Sequence, residues 1–143
     1  MKRFIGTRLF TFAAFVTAAL VTGAGAMAQS RAVRATVPFD FSVGDRLLPA
    51  GSYEIWSPSW DVIEIQNRDN HATMLTATTY NSHESRNGGK LVFHKYRDRY
   101  FLSEILCASS DINVSLPPTR AEKQARMMQA AMDNPARIEI AAE

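Results

Sequence analysis

The sequence predicts a mainly β fold: a single antiparallel β-sandwich or barrel-like domain of about six to eight strands, with one C-terminal helix. Three observations carry that prediction. Val33, Ala35, Val37, Phe39, Phe41 and Val43 alternate with Arg34, Thr36, Pro38, Asp40 and Ser42, the two-residue period of a strand with one buried face. Short apolar runs then recur between turn-forming clusters such as Gly44-Asp45, Ser57-Pro58-Ser59 and Asn67-Arg68-Asp69-Asn70. A helix start is signalled at Thr119-Arg120-Ala121-Glu122, which matches a capping box.

Residues 1–28 read as a secretory signal peptide. Met1-Lys2-Arg3 and Arg8 give a positive start, Leu9 to Ala28 carry no charge, and Ala26-Met27-Ala28 supplies the small residues a signal peptidase reads. The alternative is an uncleaved anchor, since about 20 uncharged residues span a bilayer, but three threonines with Gly23 and Gly25 make the stretch weakly apolar for it. The single cysteine, Cys107, lies too far downstream for a lipid-anchored signal. The expected product is residues 29–143, exported to the periplasm or secreted, with no membrane span after cleavage.

Cleavage changes the charge argument. Of 16 basic residues, Lys2, Arg3 and Arg8 leave, so 13 basic residues face 14 acidic ones and the net charge falls to about −1. The alkaline precursor is therefore no argument for a nucleic-acid partner. One cysteine forms no internal disulfide, so stability rests on packing.

The elements follow in order. The first strand runs from Val33 to Val43, and Pro38, lacking an amide donor, places it at a sheet edge or a bulge. Leu47-Leu48-Pro49-Ala50-Gly51 reads as a loop whose leucines tuck under the sheet. Ser52–Trp56, Asp61–Asn67 and His71–Tyr80 are the next strands. The polar Asn81–Gly89 is expected to be a mobile loop. Lys90–Tyr96 and Tyr100–Cys107 form a hairpin around Arg97-Asp98-Arg99, and Ile112, Val114 and Leu116 mark a short strand or an extended cover. A helix from Arg120 to about Met132 presents a soft methionine stripe, expected to pack on its own sheet. Arg137–Ile140 closes the chain as a short strand.

The segments VPFDFSVG (Val37–Gly44), LPAGSYEI (Leu48–Ile55), GKLVFHKY (Gly89–Tyr96) and RYFLSEI (Arg99–Ile105) together resemble a group of small exported bacterial proteins. That group shares a signal peptide, a V-P-F-x-F-x-V-G strand, an L-P-A-G-x-Y segment and an F-L-S-E-I strand. The resemblance spans most of residues 33–107. It implies a compact exported β domain and brings no catalytic or binding residue with it.

The candidate chemistry is sparse. Cys107 with His94 is a conceivable thiol–histidine pair, yet no local signature surrounds the cysteine and it ends an apolar strand, as a structural thiol does. His71, His83, His94, Asp69, Glu84 and Glu104 show no metal-ligand spacing, so no metal or cofactor is expected. If Tyr96 pairs with Tyr100 across a three-residue loop, His94 lies diagonal to Glu104 on one face, an arrangement suited to acid–base work. A two-residue loop instead sets His94 opposite Phe101. Trp56 and Trp60 flank Ser57-Pro58-Ser59, and Tyr96 and Tyr100 flank the hairpin tip; these four aromatics are the candidate ligand-binding residues. The same rings would also serve as cross-strand pairs that pin hairpin ends. The methionine-bearing helix is a candidate docking surface for a partner.

The sequence thus favours a non-catalytic binding or structural domain of the cell envelope, with a protein, an envelope component or a small ligand as partner. Its rival is a small exported enzyme using His94 and Glu104, or Cys107.

Overall fold

A period-2 pattern says which residues face inward but not which sheet they serve, and the first strand shows the difference. A computed structural model describes residues 32–83, 88–130 and 136–143. The expected strand from Val33 to Val43 divides into β1 (Val33–Val37) and β2 (Phe41–Val43), which belong to different sheets. The inward alternation continues across the break: Val33, Ala35, Val37, Phe41 and Val43 are buried, and Phe39 is half-buried. Pro38 falls at the break, where a missing amide donor costs no ladder bond.

β2 turns at Gly44, whose φ of +58° suits glycine, into β3 (Arg46–Leu48). The expected leucine loop is therefore a paired strand, with Leu48 buried and Leu47 70% exposed. β4 (Gly51–Ser59) runs through Ser57-Pro58-Ser59, which the sequence marks as a turn. Proline is accommodated because the register with β5 (Val62–Asn67) shifts between Trp56 and Ser59, a bulge where no donor is required. The turn itself is Trp60-Asp61.

A second division occurs at Thr78. The expected strand 71–80 becomes β6 (Thr73–Ala77) in the first sheet and β7 (Thr79–Tyr80) in the second. β8 (Gly89–Tyr96) and β9 (Arg99–Cys107) form the central hairpin. A 3-10 turn over Ala108–Ser110 leads to β10 (Ile112–Ser115), helix α1 covers Arg120–Ala130, and β11 is Ala136–Ala142. The expected mobile loop lies partly, and the end of the expected helix wholly, outside the described residues.

One sheet has the order β1-β4-β5-β6. The other is β11-β8-β9-β10-β7, with β2 and β3 attached beside the start of β9 through a Ser42–Phe101 bridge. Among the described residues the strands number eleven, because two of the expected strands each serve both sheets and the leucine loop is itself a strand. The sheets join where Arg34 and Glu143 exchange backbone bonds of 2.7 and 2.9 Å, so the sandwich curls toward a half-barrel. The fold class expected from sequence is thus the one found.

Between the sheets lies one core. Val33, Val37, Phe41, Tyr53, Ile55, Ile63, Ile65, Leu91, Phe93 and Ile105 are essentially inaccessible. Phe41 meets Tyr53 and Phe93 edge-on at 5.1 and 5.3 Å, and Phe39 meets Phe93 edge-on at 5.3 Å. Gly89 is a close-approach position: a Cβ there would sit 2.7 Å from the Ala142 carbonyl oxygen and 2.8 Å from Cys107 Sγ. Gly89→Ala is therefore expected to lower stability by about 1–3 kcal/mol through overpacking. Urea unfolding checks this as a lower midpoint at unchanged slope.

Candidate functional site

The geometry of the central hairpin decides which side chains can act together. Tyr96 pairs with Arg99, so Arg97-Asp98 is a two-residue loop, not three, and His94 stands opposite Phe101. Two-residue loops match the strand twist best with residues at positive φ, and Arg97 adopts φ +53° despite its side chain. Farther along, a bulge between Val92 and Phe93 leaves Ser103 unpaired on β9, and the Ser103 carbonyl accepts the Leu116 amide at 2.8 Å. Glu104 stands opposite Val92 and bonds Arg137 at 3.3 Å. Of the two registers the sequence leaves open, the two-residue loop with His94 opposite Phe101 is the one found, and the His94–Glu104 pair that a three-residue loop would allow is not formed.

His94 is engaged elsewhere. Alternation along β8 sends Leu91 and Phe93 into the core, and Lys90, Val92, His94 and Tyr96 onto the outer face of the sheet. There His94 Nδ1 bonds Glu122 of α1 at 3.1 Å, with Glu122 only 7% exposed. The capping box is half realised. Thr119 Oγ1 accepts the Glu122 amide at 3.2 Å, while the Glu122 carboxylate turns to His94. One helical turn beyond Ala125, Gln129 Oε1 accepts the Arg97 backbone N–H at 2.9 Å. Two polar side chains thus tie the helix to β8 and the hairpin tip.

Met127 and Met128 take no part in these anchors, and Met128 borders the space beside the hairpin tip. Met127 is 75% exposed and Met128 64% exposed, which corrects the expectation of a methionine stripe packed on the sheet. The physical reason is the pair of polar anchors: Glu122 and Gln129, with Ala121 and Ala125, are the buried or half-buried helix residues, over a floor of Val92, Phe101, Leu106 and Tyr96 that is itself buried. The Arg99 guanidinium covers Phe101 at 5.0 Å from the ring centre. Beside the helix, Lys90, Glu139, Arg137 and Glu104 form a chain of ion pairs at 3.1–3.3 Å across β8, β11 and β9.

A cleft of about 260 Å³ opens between the hairpin tip and α1, lined by Tyr96, Arg97, Asp98, Arg99, Ala125 and Met128 among others. Burial first, then the nearby Glu122 carboxylate, push the Tyr96 phenol above its ordinary value, partly offset by Arg126. It therefore stays a neutral donor. A second cleft, of about 360 Å³, lies across the tip between Asp40, Asp45 and Leu47 on one side and Arg99 and Tyr100 on the other.

The four aromatics singled out in the sequence occupy three places. Tyr96 lines the first cleft on the outer face. Tyr100 lies on the opposite face, stacked on Phe39 at 3.9 Å and lining the second cleft. Trp56 faces outward from the first sheet opposite Glu64, and Trp60 is 81% exposed at the β4–β5 turn. Neither tryptophan lines either cleft, and the two are not paired with each other across strands.

Cys107 sits in the core cluster, on the face opposite His94, so these two form no nucleophile pair. Burial raises its thiol, but hydrogen bonds from Ser109 and Ser110 more than offset this and leave it below the ordinary value. Its Sγ lies 3.2 Å from Ser109 Oγ. Among the described residues no three His, Cys, Asp or Glu side chains cluster to hold a metal ion. Gln129 escaped the sequence reading, and Glu122 was legible only as a capping-box residue, not as the partner of His94. Their seven-residue spacing, with Ala125 between, was the available signal, and the apolar bias of helix-face reasoning hid it.

Comparison of the chain with protein-family models, with curated proteins and with solved structures returns no match. No helix among the described residues is long and apolar enough to cross a membrane, which says nothing of spanning by strands.

His94→Ala takes from the buried Glu122 carboxylate one of its two side-chain partners, leaving it the Tyr96 phenol. Because the histidine side chain is about one-third exposed, the expected loss is about 1–3 kcal/mol, not the larger value of a fully buried pair. The loss should concentrate in the helix. Hydrogen exchange checks it as faster exchange across Arg120–Ala130 with the amides of β4 and β5 unchanged.

Proposed function

We propose that residues 29–143 act as a non-catalytic binding domain of the cell envelope, exported by a signal peptide that ends at Ala28. The cleft between the hairpin tip and α1 carries this reading. It combines apolar walls from Tyr96, Ala125 and Met128 with charged groups from Asp98 and Arg99, the mixture that orients a small ligand or a partner side chain. Its two anchors, His94–Glu122 and Arg97–Gln129, hold both walls without using an apolar helix face. The separation of Cys107, His94 and Glu104 supports binding over catalysis, because a nucleophile and its base must lie within hydrogen-bond reach.

The test is a glycan and metabolite binding screen on chain recovered from the exported fraction, whose N terminus should be Gln29. Arg99→Ser and Met128→Glu change exposed cleft residues and are expected to weaken binding at least tenfold. Trp56→Ala and Trp60→Ala should leave it unchanged. Loss of binding only in the tryptophan variants would move the site to the β4–β5 turn. Absence of any ligand would sink the small-ligand form of the proposal, and recovery solely of full-length chain inside the cell would sink export.

A further inference from the structure

The exposed edges of the two sheets are not equally defended. β11 carries Arg137 and Glu139, and the outer edge of β1 is engaged by Glu143. β6, the far edge of the first sheet, has neither device. From Ala72 to Ser82 the sequence holds no charged residue and no proline, the two commonest ways a natural edge repels another strand.

Hydrogen-bond phase shows which groups this edge presents. The Asn67 amide bonds the Ala72 carbonyl at 2.9 Å, and the Thr78 amide bonds the Asp61 carbonyl at 2.7 Å. Antiparallel pairs alternate between bonded and non-bonded, so with the pairing Ile65–Met74 and Ile63–Thr76, the residues bonding β5 are Ala72, Met74, Thr76 and Thr78. Thr73, Leu75 and Ala77 then direct their N–H and C=O groups away from the sheet. Among the described residues none of these six groups has a hydrogen-bond partner in a neighbouring strand. The side chains of the same three residues are exposed, Leu75 at 63%.

We propose that β6 is a self-pairing edge, which joins a second copy of this chain in an antiparallel β6–β6 contact centred on Leu75. The strand is its own complement. A two-fold axis at Leu75 sets Leu75 opposite Leu75 and Thr73 opposite Ala77, so the outward groups of both copies fall in phase. Every facing pair is uncharged, and no like charges meet across the axis. The two four-stranded sheets become one of eight strands. The outer row Trp56, Glu64, Leu75 continues across the axis, so that each exposed leucine gains an apolar neighbour.

The experiment is sedimentation of the chain purified from the cells that make it, over micromolar to millimolar concentration, with amide exchange in parallel. The wild type should shift from monomer to dimer, with concentration-dependent protection at the Thr73, Leu75 and Ala77 amides. Leu75→Lys changes an exposed side chain and should stay monomeric. Leu75→Glu should also stay monomeric, whereas an equimolar mixture of the two should dimerise again, which separates a broken contact from a damaged fold. A wild type monomeric throughout, or a dimer indifferent to Leu75→Lys, overturns the proposal. Protection of these amides only after adding another protein also overturns it, by assigning the edge to a foreign strand.

Discussion

The fold depends on one crossing, at Pro38–Asp40, where a single alternating segment leaves one sheet and enters the other. An extended chain that changes sheets exposes backbone groups and must be held at its corner. Asp40 supplies the hold: its Oδ1 accepts the Ala50 amide at 2.8 Å, pinning the start of β4 to the corner. The Tyr53 hydroxyl donates to the Pro49 carbonyl from inside the core, and Gly51 leaves room for Asp69 and Asn67, whose groups would lie 2.9 and 3.2 Å from a Cβ. Burial is the chief cause that raises the Tyr53 phenol, so it remains a donor. The segments VPFDFSVG and LPAGSYEI are therefore two halves of one lock, with Phe41 packed against Tyr53 between them.

That lock leaves the outer surface of the second sheet to other duties. The outer face of β8 and β9 is part apolar floor and part charge, and α1 is laid across it by Glu122 and Gln129. A helix held by polar contacts contributes little to a core, since most helical stability comes from an apolar face. What it builds instead is a wall for the cleft at the hairpin tip. The strained Arg97 conformation fits the same picture, because its amide is taken by the helix and the tip is fixed against it.

Much of the fold was legible in the residues, and the reasons for the rest are physical. Alternation revealed every inward residue of the first segment, but a period of two survives a change of sheet, so one strand and two look alike. The hairpin register turned on one residue of loop length and on the Ser103 bulge, and both are backbone choices that side-chain pattern does not record. Pro58 read as a turn because a bulge that tolerates proline leaves no signature of its own. The helix start was readable from Thr119 and Glu122. Its buried face was not, because the helix meets the sheet through Ala121, Glu122, Ala125 and Gln129 and leaves Met127 and Met128 exposed, against the usual rule that the large apolar residues point inward. Of the candidate site, the sequence picked out Tyr96, marked Glu122 only as a cap, and gave no sign of Gln129.

Asp40 and Tyr53 act as one lock on the crossing, and a double-mutant cycle measures whether they do. Asp40→Ala and Tyr53→Phe are each expected to cost about 1 kcal/mol in urea unfolding. The pair should show an interaction energy above about 0.5 kcal/mol, as residues sharing one loop do. Costs that add to within about 0.3 kcal/mol would contradict the account, because the two bonds would then hold the loop independently.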